Sequence, residues 1–211
     1  KVLGVVRDEL LALKEKFGDD RRTHIAHDAT ESLNDEDLIA QERVIVTLTE
    51  RGYIKRAPAR LYRSQGRGGR GVQGMTTREE DNVRYLAPAY TLERMLFFTN
   101  RGRAFQERVF QIPDAGRGAK GAPLANVLNL DAGEIVTTIL PAPDAVNGDA
   151  EKLKGRYLVM VTAQAKIKRV ELSELASIRP AGLVALSLDE GDELGWVRLT
   201  NGEDDIIIVS Q

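Results

Sequence analysis

Apolar residues follow two different rhythms along this chain. Leu3, Val6, Leu10, Leu13 and Phe17 alternate between spacings of three and four, the seam of a coiled-coil-like α-helix. Gly18, which permits a left-handed cap, predicts the stop. A helix with such a stripe needs a surface to pack on. No later segment is helical in pattern, which places that surface outside this chain; packing on the following domain is the alternative. Residues 28–42, DATESLNDEDLIAQE, are polar and acidic and read as a linker.

From Arg43 the rhythm is that of strands. RVIVTLTERGYIKR carries β-branched runs on either side of a turn at Arg51-Gly52. The unit returns: residues 46–55 align with 96–105 and again with 159–168, and Ile206-Ile207-Ile208-Val209-Ser210 reads as a further start. The steps Thr49 to Thr99, Thr99 to Thr162 and Thr162 to Ser210 are 50, 63 and 48 residues. The long step contains a loop insertion at 143–156. Two more elements keep the same order. Arg67-Gly68-Gly69-Arg70-Gly71 is matched by Arg117-Gly118-Ala119-Lys120-Gly121 and faintly by Arg179-Pro180-Ala181-Gly182. An acidic turn precedes a strand at Asp131–Glu134 and at Asp189–Asp192.

Recurrence at about 50 residues, with about four strands per unit, predicts an all-β, propeller-like array. The chain holds about three blades, preceded by one α-helix and entering a fourth as it stops. A β-sandwich with accidental similarity would not repeat three elements in one order. There is no cysteine, so disulfides and thiolate metal sites are excluded. No stretch has the ~18 apolar residues of a membrane span, and the N-terminus lacks the apolar core of a secretory signal. The chain reads as intracellular.

The formal charge of −2 conceals a polarity. Residues 1–42 carry a balance of −5, residues 43–121 of +9 and residues 122–211 of −6. A basic middle between acidic ends points to a polyanion. Residues 51–70 hold Arg51, Lys55, Arg56, Arg60, Arg63, Arg67 and Arg70 and no acid. Glycines between them let a backbone approach phosphate closely, and arginines offer bidentate donors to its oxygens. Other readings of this stretch fit less well. Gly66–Gly71 matches G-x-G-x-x-G, but that fingerprint needs a following helix and a later ribose-binding acid. A disordered RGG tail would be of low complexity, and a ligand-free solvated loop remains an alternative. His24 and His27 lack a third clear ligand, so no metal site is expected. Trp196 lies in an apolar run and reads as core.

The run Tyr62–Gly74 closely resembles the seven-residue box that marks the A subunit of bacterial DNA gyrase. Gln65, Arg67, Gly68, Gly69, Arg70 and Gly71 match, while Gly66 replaces the first basic residue. Phe17–Thr23 looks like the end of that subunit's coiled coil, and Leu96–Gly102 and Ala119-Lys120-Gly121 look like its blade sequences. The resemblance covers essentially the whole chain. It implies a β-pinwheel over 43–211, after a helix end at 1–27 and the linker at 28–42.

The same resemblance implies that duplex DNA bends around the basic rim and that the box Gln65–Gly71 clamps the wrap. The expected DNA contacts are the box, Arg51, Lys55, Arg56, Arg60 and Arg63, then Arg101, Arg103, Arg117 and Lys120, and more weakly Lys166, Lys168 and Arg169. The partners it implies are duplex DNA, the gyrase B subunit, which carries ATP and Mg²⁺, and a second copy of the gyrase A chain. No cofactor is expected on this chain. The nucleophilic tyrosine of the family lies upstream, so Tyr53, Tyr62, Tyr85, Tyr90 and Tyr157 read as strand or core residues. Two alternatives are a propeller serving as a protein-interaction platform and the corresponding domain of the decatenating topoisomerase IV relative.

Overall fold

A computed structural model describes residues 2–19, 35–62, 81–142 and 153–209. The chain divides into a helical unit, Lys1–Asp35, and a sheet unit, Glu36–Gln211. The first is the helix α1 (Val2–Phe17), with Lys14 and Lys16 in its last turn, where cations favour the carbonyl end. Leu3, Val6, Leu10, Leu13 and Phe17 are all exposed. Gly18 closes the helix through its amide to Lys14 O at 2.7 Å. It does so without the expected left-handed conformation. Glycine is needed there for space, since a Cβ would sit 2.3 Å from Lys14 O.

The sheet unit repeats one plan. In the first blade, β1 (Arg43–Thr49) and β2 (Tyr53–Pro58) form a hairpin, and β3 (Val83–Tyr90) pairs on the far side of β1. The second blade has β4 (Arg94–Thr99), β5 (Arg103–Arg108) and β7 (Val136–Ala142) in the same roles. In the third they fall to β8 (Tyr157–Thr162), β9 (Ile167–Glu171) and β11 (Leu194–Thr200). The fourth strand of a blade comes from the next unit. The two-residue β6 (Ala122–Pro123) lies on β2, and β10 (Leu183–Val184) lies on β5. The orders are β3-β1-β2-β6, β10-β5-β4-β7 and β11-β8-β9.

Two apolar layers hold the three sheets together. Val44, Val46, Leu48 and Ile54 of the first sheet meet Met95, Phe97 and Phe105 of the second. The other face of the second sheet, with Leu96, Phe98 and Ala104, meets Leu158, Met160 and Val197 of the third. β4 is covered on both faces, which is why Met95–Phe98 is an unbroken apolar run. Each fully buried phenylalanine contributes about 1.5–3 kcal/mol.

Three expectations change. Trp196 is 58% exposed and is not core: alternation along β11 turns Val197 inward and Trp196 to the outer face. Ile206–Val209, read as the start of a further unit, is not a strand in this structure. Glu36–Glu42, read as the end of the linker, is fastened to the sheet unit. Glu36 pairs with Arg108 at 2.8 Å, and Thr91 Oγ1 donates to Ala40 O at 2.7 Å and accepts from the Glu42 amide at 3.0 Å.

Candidate nucleic-acid interface

The glycine–arginine element takes its place from the lent strands. Asp114–Gly121 runs beside β2 and feeds β6, and Arg179–Gly182 runs beside β5 and feeds β10. Each run ends on a glycine of positive φ, +83° at Gly121 and +82° at Gly182. A Cβ on Gly121 would lie 2.5 Å from Ile54 O, and one on Gly182 2.8 Å from the Phe105 ring. The glycine therefore lets the loop lie flat against the blade edge, with its preceding cations turned outward. Arg179 is exposed. Arg117 reaches Leu61 O at 3.4 Å, beside the exposed Arg60. Lys120 sits 3.7 Å over the Tyr53 ring, a cation–π arrangement. Gly71 stands at the same step of the repeat as Gly121. Arg63 and the box Gln65, Gly66, Arg67, Gly68, Gly69, Arg70 and Gly71 lie outside the described residues.

Lys55 was expected to touch DNA, and the structure corrects this. It is 0% exposed, and its Nζ donates to Gly116 O at 3.1 Å, to Ala119 O at 2.9 Å and to Arg117 O. Burial lowers its pKa from the usual lysine value. Arg56 is also turned inward: Nε donates to Ile112 O at 2.8 Å and the guanidinium pairs with Asp114 at 3.2 Å. Both cations shape the loop from behind.

Each hairpin turn is closed by a buried threonine. Thr49, Thr99 and Thr162 Oγ1 accept the amides of Tyr53 at 3.0 Å, Arg103 at 3.3 Å and Lys166 at 3.1 Å. A buried acid from the turn before the third strand completes the arrangement. Asp81 accepts the Arg51 amide at 3.1 Å, and Asp192 accepts that of Gln164 at 3.0 Å. In the second blade Thr99 donates to Glu134 at 2.7 Å. The acidic turns of the sequence repeat are thus internal braces. Burial pushes the Asp192 carboxyl up, but the Thr162 hydroxyl, the Gln164 and Glu193 amides and Lys166 outweigh it and hold its pKa below the usual value.

Arg103 is corrected on the same ground. Nη1 lies 2.8 Å from both Asp131 and Glu134, Nη2 donates to Ala181 O at 2.6 Å, and the guanidinium stacks on Phe105. Arg101 keeps a half-exposed side chain, with Nη2 on Ala132 O at 2.7 Å.

A family model described as "DNA gyrase C-terminal domain, beta-propeller" matches residues 43–89, 93–143 and 156–201. These spans coincide with the three blades. The chain belongs to the DNA gyrase C-terminal domain family. The DNA gyrase A subunit of Halalkalibacterium halodurans is 46% identical over 209 residues, covering 99% of this chain and 24% of that protein. That of Staphylococcus aureus strain MRSA252 is 44% identical over 207 residues, covering 98% of this chain and 23% of that protein. The chain thus spans about a quarter of the length of these relatives. Among solved structures, the C-terminal domain of a DNA topoisomerase IV superposes with a TM-score of 0.62 at 27% identity, over 78% of this chain and 47% of that one. A DNA gyrase A C-terminal domain superposes with a TM-score of 0.58 at 24% identity, over 75% and 48%, and supports the fold.

Within this family framework, the remaining expected cations divide. Arg51 is exposed on its hairpin turn. Lys166 is exposed and paired with Asp189. Lys168 donates to Ala185 O at 2.9 Å, and Arg169 lies 4.8 Å over the Tyr157 ring. Four exposed arginines of the sheet unit escaped the sequence reading as candidates, Arg43, Arg84, Arg179 and Arg198. Arg179 heads the second lent loop and was readable from its place in the repeat. Arg84 lies on β3 over the Tyr85 ring at 5.8 Å, and nothing in the repeat marks it.

Proposed function

We propose that this chain is the DNA-wrapping part of a gyrase A chain, bending duplex DNA around its blade edges without reading sequence. The observation that carries the reading is the placing of outward cations, Arg60, Arg117, Lys120 and Arg179, along the outer edges of successive blades. Such an array meets phosphates and not base edges, as architectural binders do. Arg51 and Arg101 extend it at the hairpin turns, and Lys166 and Arg169 add weaker contacts on the third blade. The box Gln65–Gly71 clamps the wrap, because bending a site of 20–30 base pairs costs about 1–6 kcal/mol and one added contact decides closure.

In the assembled enzyme the wrap presents a positive crossing. The B subunit, holding ATP and Mg²⁺, drives strand passage through it and leaves negative supercoils. Cleavage belongs to upstream domains of the paired A chains, and this segment is non-catalytic. Residues 1–27 are the end of the coiled coil, residues from 28 form the acidic linker, and residues 43–211 the wrapping domain, working in the cytoplasm.

The second reading is the C-terminal domain of the decatenating topoisomerase IV relative, and the 46% and 44% identity to gyrase A subunits over nearly the whole chain supports the first reading over it. DNA-circle ligation in the presence of the chain separates the two. Wrapping gives positive writhe that is lost in Arg67→Ala/Arg70→Ala while binding survives. Circles without positive writhe would sink the wrapping reading. A shallow salt slope, far from ~0.9 per neutralised phosphate, would favour the protein-interaction platform.

A further inference from the structure

We propose that Glu36 masks a phosphate-binding pair of arginines on the second blade, Arg94 and Arg108, by setting its carboxylate where a phosphate oxygen would sit. The inference rests on the wrapping reading for the source of that phosphate, which is the DNA backbone.

The pair has no counterpart in the other two blades. Arg94 and Arg108 stand directly opposite each other at the open end of the β4–β5 hairpin. The same step of the first blade holds Val44 opposite Pro58, and that of the third holds Tyr157 opposite Glu171. Like charges directly opposite on neighbouring strands repel, and an anion is what lets them stand together. Arg94 Nη1 donates to Gln106 Oε1 at 3.1 Å and to Ala176 O at 3.3 Å. Arg108 Nη1 donates to Leu92 O at 2.9 Å. Its Nη2 meets the Glu36 carboxylate, with Oε1 at 2.8 Å and Oε2 at 2.9 Å. Burial and then the Arg108 charge lower the Arg94 pKa, and Glu36 opposes them.

The acid sits at the front of the strap Glu36–Glu42, where it is open to exchange. The Glu36 side chain is 35% exposed and that of Arg108 12%. Leu38 is 73% exposed and does not anchor this half of the strap. The other half is tied to Thr91 through Ala40 O and the Glu42 amide, so Glu36 can leave while residues 40–42 stay in place. Arg108 then presents the nitrogen that Glu36 had covered. A guanidinium that holds a carboxylate suits a phosphate oxygen equally.

Arg108 also lies at the level of the outward cations. β2 ends at Pro58 and runs into the turn Ala59–Leu61, which carries the exposed Arg60. β5 ends at Arg108 and runs into the equivalent turn Val109–Gln111, which has no cation. On the second blade the charge at this level is therefore Arg108, and Glu36 cancels it. With the mask in place, this blade offers one phosphate contact fewer.

The test is a salt titration of duplex binding by the 211-residue chain, parent against Glu36→Gln, which keeps the size of the side chain and removes its charge. Unmasking should steepen the log–log slope by ~0.9, the share of one phosphate, and tighten binding at low salt by up to about five-fold. Arg108→Gln, which can still donate to Leu92 O, is then added to Glu36→Gln and should cancel the gain. Glu42→Gln, at an exposed acid of the same strap, removes the same charge and should leave the slope unchanged. If the double variant does not fold, Arg108→Lys takes the place of Arg108→Gln and should cancel part of the gain, since an ammonium lacks the guanidinium fork. A slope that Glu36→Gln leaves unchanged, or that steepens equally with Arg108 replaced or in Glu42→Gln, would overturn the proposal. Positive writhe in the circle assay with an unchanged slope overturns the mask and leaves wrapping standing. Steepening that the Arg108 replacement cancels, without writhe, does the reverse.

Discussion

Arg103 decides between a contact made with DNA and one made inside the blade. The perturbation is Arg103→Met, which keeps an apolar stem over Phe105 and removes the charge. In the structure the guanidinium serves Glu134, Asp131 and Ala181 O, and its side chain is 18% exposed. The Glu134 side chain is 0% exposed. Stripping one partner from a buried pair costs about 3–5 kcal/mol. Glu134 keeps the Thr99 hydroxyl and the Asp131 amide, and solvent reaches Arg103, so the lower end applies, about 3 kcal/mol. For a unit of this size that is a fall in Tm of roughly 6–12 °C. Urea unfolding and thermal melts measure it. The double variant Arg103→Met/Glu134→Gln should regain part of the loss, because the amide oxygen can still accept from a donor at this site while the unpaired buried charge is gone. In a salt titration of duplex binding, the log–log slope of folded Arg103→Met should match the parent. A stability change under about 1 kcal/mol with a slope reduced by ~0.9 would refute this reasoning and return Arg103 to the DNA surface.

Other outcomes follow from the same contacts. The folded pKa of Asp192 is lowered, so its contribution is present above the unfolded value of about 3.9 and is lost as pH falls through the lower folded value. Urea midpoints taken downward from about pH 6 should fall less steeply in Asp192→Asn, which starts less stable at neutral pH; parallel curves would contradict this. Gly121→Ala should cost more than about 2 kcal/mol, since both φ and the nearby Ile54 carbonyl oppose a Cβ. Gly52→Ala, with φ +78° and open space, should cost only about 1 kcal/mol; equal losses in urea unfolding would show that the close approach at Gly121 does not matter. Trp196, the single tryptophan, should emit as a hydrated indole and be quenched readily by acrylamide. Blue-shifted, protected emission would mean that its face of β11 is covered.

Much of this architecture is local, and local features are legible in a sequence. Alternation and the returning threonine–turn unit located β1–β2, β4–β5 and β8–β9, because each hairpin closes through residues four apart. The acidic turns were seen as repeats without their meaning. Their partners, such as Thr99 for Glu134, lie 35 positions away. β6 and β10 escaped notice because a two-residue strand has no period of its own and exists only by pairing with the preceding blade.

The candidate site divides in the same way. Glycine and arginine at recurring steps marked the lent loops, since a positive φ beside a close backbone contact calls for glycine wherever it occurs. Charge alone could not say which cations face water. Lys55 and Lys120 look alike in the sequence, yet one lies beneath the loop and the other beside it. That difference is set by the face of β2 from which Lys55 projects and by the loop that the next blade lays across it.

The sequence by itself therefore determined the repeat, the strand hairpins, the family and the basic character of the middle of the chain, all properties of neighbouring residues. The tertiary structure alone decided which charges are internal braces, that Trp196 faces outward, and that the first two blades are each completed by their successor. The physical reason is desolvation. Burial of a charge or the pairing of a strand edge depends on segments dozens of residues away, and becomes settled only when the blades pack.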